Sequence, residues 1–72
     1  MSATKTVAVR LNGKDREVDT GHTVLTLLAE LGLQPGMVVV ELNRDILERE
    51  RYADTEVHDG DSLELVHFVG GG

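Results

Sequence analysis

The residues best suited to chemistry stand at the end of the chain, where His67, Phe68 and Val69 are followed by Gly70, Gly71 and Gly72. A glycine has no Cβ, and ordering it costs more backbone entropy than ordering any other residue. Three in a row add nothing to a core. They do make a slender tail that reaches about 10 Å beyond Val69 and can thread a channel that any side chain would block. The tail ends in an α-carboxylate, ionised at pH 7 because its reference pKa is about 3.3–3.7. A carboxylate is a poor electrophile until activated. An ATP-using partner can convert it to an acyl-adenylate, which a sulfur nucleophile can then attack.

The other reactive side chains form weaker patterns. The sequence holds three histidines, His22, His58 and His67, and no pair has a ligand spacing. They read as scattered surface residues, and no metal site is expected. Glu48, Glu50, Asp54, Glu56, Asp59 and Asp61 are interspersed with Arg49 and Arg51. A chain of 72 residues has little room for the cleft that tunes a catalytic acid, so these carboxylates read as a solvated face and partner-binding charge. Asp59-Gly60-Asp61 resembles a fragment of a calcium loop, but the remaining ligands are missing at their spacing. It reads as a turn. With no cysteine, disulfides, thiolate metal sites and cysteine nucleophiles are excluded. No catalytic residue of the chain's own is expected.

Charge narrows the partners. Thirteen acidic against seven basic residues give a formal charge of −6. That argues against nonspecific nucleic-acid or anionic-membrane binding, which needs cations to neutralise phosphate. It suits a protein that meets a basic surface on a partner. No apolar run approaches the length of a membrane span, and residues 1–10 lack a signal-peptide pattern. A cytoplasmic location is expected.

The elements that must position the tail follow from periodicity. Thr6–Leu11 alternates, with Val7, Val9 and Leu11 on one face, as in a half-buried strand. Asn12-Gly13 is a strong turn signal, and Arg16–Val18 reads as the returning strand, with a loop that could exceed two residues. Thr23 can cap a helix whose apolar stripe is Val24, Leu27, Leu28 and Leu31. Gly32 stops it and Pro35-Gly36 prevents a restart. Met37–Leu42 suits a central strand under that helix. Asn43 and Arg44 turn the chain into a short edge strand at Ile46-Leu47. Residues 48–57 read as surface turns with one short helical turn, Tyr52 packing its ring on the sheet. Ser62–Val69 is the last strand.

This is an α+β chain: a mixed sheet of four to five strands with one main helix across one face, resembling the ubiquitin-like β-grasp. Residues 1–69 form the domain and residues 70–72 the flexible tail. In the last strand Leu63 and Leu65 share a parity and should point into the core. Val66 and Phe68 then fall on the opposite, solvent face beside Ser62 and Glu64. Phe68 is the sole phenylalanine and stands outside the core in this register. Val66 and Phe68 read as a docking patch next to the tail, the alternative being that Phe68 folds over an open end of the sheet.

Residues 38–52, residues 57–72 and the helix segment 21–32 together resemble the ThiS family, the sulfur carrier proteins of thiamine biosynthesis. The resemblance covers most of the chain and is most specific in the C-terminal block. It implies that Gly72 is adenylated by an E1-like (ThiF-like) enzyme using ATP and magnesium, then converted to a thiocarboxylate. A cysteine desulfurase system would supply the sulfur, and a ThiG-like thiazole synthase would receive it. Val66 and Phe68 would map onto the partner-docking face. This chain ends in three glycines where many relatives end in two, which leaves Gly71 and Gly72 as the functional pair and Gly70 as a spacer. The residues alone leave open a molybdopterin-synthase small subunit, a ubiquitin-like modifier, or an interaction module whose tail is incidental.

Overall fold

The first hairpin is built from strand β1, Thr6–Leu11, and strand β2, Lys14–Asp19. It is longer on its return side than the apolar pattern implies, because Leu11 pairs with Lys14 and leaves a loop of only Asn12 and Gly13. Both loop residues have positive φ, 51° and 81°, the twist that a two-residue hairpin needs. The polar residues of β2 then pair through their backbones, which alternation of side chains does not report. The computed structural model describes residues 5–68. Val69 and the tail residues Gly70, Gly71 and Gly72 lie outside the described residues.

Helix α1, Val24–Glu30, is short at 7 residues, so its ends matter. The Thr23 hydroxyl accepts from the Thr26 amide at 3.1 Å, and the Thr26 hydroxyl accepts from the Thr23 amide at 2.8 Å. Two amides that the helix cannot satisfy are thus paired reciprocally. At the other end Gly32 has φ 76°. Its amide donates to the Ala29 carbonyl at 3.0 Å, and the Leu33 amide to the Leu28 carbonyl at 2.9 Å. This is a Schellman stop that favours glycine. Val24, Leu27 and Leu28 are buried, as the spacing predicts.

Pro35–Met37 forms a single 3-10 turn before strand β3, Val38–Leu42. An Asn43-Arg44 turn leads into strand β4, Asp45–Leu47, and a second 3-10 turn covers Arg49–Arg51. Strand β5, Ser62–His67, comes last in the chain but sits in the middle of the sheet, whose order is β2-β1-β5-β3-β4. It runs parallel to β1, with Leu11 beside Leu63, and antiparallel to β3, with Val40 opposite Leu65. The apolar β3 is interior, but the middle position belongs to β5.

The core lies between α1 and one sheet face: Val9, Leu11, Val38, Val40 and Leu63 from the strands meet Val24, Leu27 and Leu28. Tyr52 and Val57 close its side. The Tyr52 hydroxyl donates to the Val38 carbonyl at 3.0 Å, so its buried polar atom is satisfied. The Tyr52 carbonyl in turn accepts from the Leu25 amide at 3.0 Å. Through these bonds the irregular segment before β5 is fastened to the helix N-terminus. The arrangement is the ubiquitin-like β-grasp, a mixed five-stranded sheet with one main helix.

Candidate functional site

The face of the sheet opposite α1 is set by parity. Leu63 and Leu65 point to the core side, Leu63 fully buried and Leu65 partly. Ser62, Glu64, Val66 and Phe68 therefore project outward. Val66 is 55% exposed and Phe68 48% exposed, in accord with the expected register. Neither is held fully by its own fold.

Pairing extends this surface. Val66 stands opposite Val39, and Glu64 opposite Glu41. Ile46, on the edge strand, stands opposite Glu41 and is 70% exposed. Ile46 is thus a third exposed apolar residue on the face, which strand parity alone did not find. Its side depends on the β3–β4 register, which only the turn at Asn43 and Arg44 decides. Glu41 and Glu64 are like charges directly across from one another, an arrangement that slightly destabilises a sheet. Among the described residues neither is in an ion pair. A basic group on a partner would relieve that repulsion, and the overall charge of −6 acts in the same sense.

Strand β5 is held on both sides as far as the Leu65 amide and on the β3 side alone beyond it. The Phe68 amide donates to the Met37 carbonyl at 2.8 Å, so the β3 ladder holds the chain up to the start of the tail. On the β1 side the Asn12 amide donates to the Leu63 carbonyl at 2.9 Å, and the Asn12 side-chain oxygen accepts from the Leu65 amide at 2.7 Å. Asn12 thus caps the parallel pairing where β1 turns away. The residue chosen for its turn geometry also positions the strand that bears the tail.

Other side chains expected to be idle have structural work. His22 was expected at the surface, but its side chain is only 15% exposed. Its Nδ1 lies 2.9 Å from the Thr26 hydroxyl and its Nε2 3.6 Å from Glu30, so it braces both ends of the helix. Asp59 accepts from the Ala8 amide at 2.8 Å. Asp61 accepts from the His58 amide at 2.8 Å and from the Asn43 side chain at 3.0 Å. These two carboxylates also order the loop that feeds β5, with Asp59 exposed as expected and Asp61 half-buried. The Asp59-Gly60-Asp61 segment is a turn, as read, with Gly60 at φ 89°. His67 is exposed on β5. Among the described residues, no group of three or more His, Asp and Glu side chains is placed to hold a metal ion. Nor is any helix among them long and apolar enough to cross a membrane.

The described part of the candidate site is therefore an exposed apolar surface made by Ile46, Val66 and Phe68. Gly70, Gly71 and Gly72 lie outside the described residues, so their part in it rests on the sequence. Comparison with known proteins bears on that part. The ThiS family model matches residues 9–72, the glycines included. The sulfur carrier protein ThiS of Bacillus subtilis (strain 168) is 48% identical over 66 residues, covering 89% of this chain and 98% of that protein. A thiazole synthase of Paramagnetospirillum magneticum is 45% identical over 62 residues, covering 86% of this chain but 19% of that enzyme. The crystal structure of the thiamine biosynthesis protein (ThiS) from Geobacter metallireducens aligns with a TM-score of 0.77 at 42% identity, over 92% of this chain and 100% of that one.

Proposed function

The chain belongs to the ThiS family of sulfur carriers in thiamine biosynthesis, and from that premise we propose that the Gly72 carboxylate is its working group. The chain is a co-substrate and not a catalyst. In the first step the Gly72 carboxylate attacks the α-phosphorus of ATP, held with magnesium by a ThiF-like partner, and pyrophosphate leaves. The acyl-adenylate is then attacked by sulfur and AMP departs. If the sulfur arrives as a persulfide from a cysteine desulfurase system, the acyl disulfide formed releases the thiocarboxylate when a second thiol attacks it. Gly70 and Gly71 carry the acyl group into the partner's active site, and Val66 and Phe68 dock the domain beside the entrance.

The observation that carries this reading is the extent of the family match, which runs through the glycines to residue 72. The exposed Val66 on the middle strand and Phe68 just after it support a docking role next to the tail. A ThiG-like thiazole synthase as the sulfur acceptor is supported by a further fact: the thiazole synthase above contains a segment similar to this chain within its own length. Two activities that act in succession gain effective concentration from such linkage.

The test is the intact mass of the chain after incubation with ATP, the activating enzyme and a sulfur donor. The expected product carries sulfur in place of one oxygen, confined to the C-terminal peptide. Deleting Gly71 and Gly72 should abolish that change while leaving the unfolding midpoint where it was, since a glycine has no side chain to contribute to a core. Sulfur transfer to thiazole synthase by the truncated chain would overturn the reading.

A further inference from the structure

Strand β5 has an open edge immediately before the tail. Residues 62, 64, 66 and 68 direct their backbone groups toward β3, as the bonds of Ser62 with Asn43 and of Phe68 with Met37 show. Residues 63 and 65 direct theirs toward β1, where Asn12 takes up the Leu63 carbonyl and the Leu65 amide. His67, still within the strand, must direct its amide and carbonyl the same way as Leu65. On that side β1 has already ended, at Leu11. Among the described residues nothing pairs with the Leu65 carbonyl or with the His67 amide and carbonyl.

We propose that the adenylating partner adds an extended strand to this edge, bonding the Leu65 carbonyl and the backbone of His67, while Val66 and Phe68 enter apolar sites alongside. The inference rests on the reading that the tail is activated by such an enzyme, and names how the tail is aimed. Strand addition supplies affinity through main-chain bonds and specificity through alternate side chains. Val66 and Phe68 are alternate residues, both exposed, that flank His67. Pairing at His67 also fixes the direction of the chain where the four residues from Val69 to Gly72 begin, and so limits how much freedom the glycines must lose at the active site. A second copy of this chain is a poor occupant, because an edge of three residues cannot sustain pairing with an equally short one. A partner with a preformed strand can.

The experiment compares His67→Ala with His67→Pro in ATP–pyrophosphate exchange by the activating enzyme. Proline removes the amide hydrogen and is tolerated in a strand only where that amide faces solvent. His67→Ala is expected within about twofold of the parent, whereas His67→Pro should raise KM about tenfold with kcat unchanged. Equal KM values for the two variants overturn the proposal. So does a His67→Pro chain that fails to fold, because the amide would then be bonded inside the domain. Hydrogen exchange gives an independent readout on the unaltered chain. The His67 amide should exchange fast in the free protein and be protected in the complex, while the Leu65 amide is protected in both. An unprotected His67 amide at saturation, or protection by thiazole synthase alone, would also overturn it. If the parent chain supports no exchange reaction at all, the activation reading itself fails, an outcome distinct from equal variants.

Discussion

Val66→Thr separates docking from folding. Threonine matches valine in shape and in preference for strands, and Val66 is 55% exposed on the outer face. The new hydroxyl can therefore stay hydrated in the free domain. Its effect on stability should remain within about 0.5 kcal/mol, as for other surface substitutions. Docking is different, because the exposed half of this side chain loses water when a partner covers it. An apolar partner surface offers the hydroxyl no hydrogen bond, and burial without one costs about 1–3 kcal/mol by protein mutational data. Part of the side chain is already shielded by Val39 and its other neighbours, so the lower portion of that range applies, about 1–2 kcal/mol. That corresponds to a rise of about 5- to 30-fold in KM for adenylation, with kcat unchanged, since the reacting carboxylate is not touched. The assay is steady-state pyrophosphate release with the activating enzyme, alongside thermal unfolding of the free chain. An unchanged KM with an unchanged unfolding midpoint would refute the assignment of Val66 to the docking face. A lower midpoint by many degrees would show that Val66 packs inside the fold.

Two further perturbations probe what holds the site in place. Tyr52→Phe removes the hydroxyl that bonds the Val38 carbonyl at 3.0 Å; it should cost about 1 kcal/mol and lower the unfolding midpoint by about 4–8 °C, with sulfur loading of the folded chain intact. Asn12→Ala loses both the tolerance for φ 51° and the acceptor for the Leu65 amide, and should destabilise by about 2 kcal/mol. Asn12→Gly restores the turn without the acceptor and should recover about half of that loss, as read by chemical denaturation.

Several elements were legible from neighbouring residues alone because their signals are local. The alternation of Val7, Val9 and Leu11 located β1, and the stripe of Val24, Leu27 and Leu28 located α1. Gly32 ended that helix at a left-handed φ, a requirement visible in the residue type. The outward parity of Val66 and Phe68 was readable too, since side chains alternate strictly along a strand. What failed to read were contacts made at a distance. His22 looked like a surface histidine, yet Thr26 and Glu30 enclose it; a Thr-x-x-Thr capping box is a fainter signal than one closed by glutamate. Asp59 and Asp61 looked solvated, and are acceptors for backbone and amide groups remote in sequence.

The sequence by itself determined the glycine-rich end, the order of the main strands and helix, the single core and the lack of cysteine. Each depends on residue identity or on spacings of a few residues. Only the tertiary structure decided that β5 lies between β1 and β3, because pairing partners far apart in sequence leave no local trace. That position sets Val66 opposite Val39 and Glu41 across from Glu64. Strand β1 also ends beside Leu63, four residues before β5 ends at His67, so that among the described residues the Leu65 carbonyl and the His67 backbone groups face outward. An edge of this kind is a property of relative strand length, and no single segment contains it.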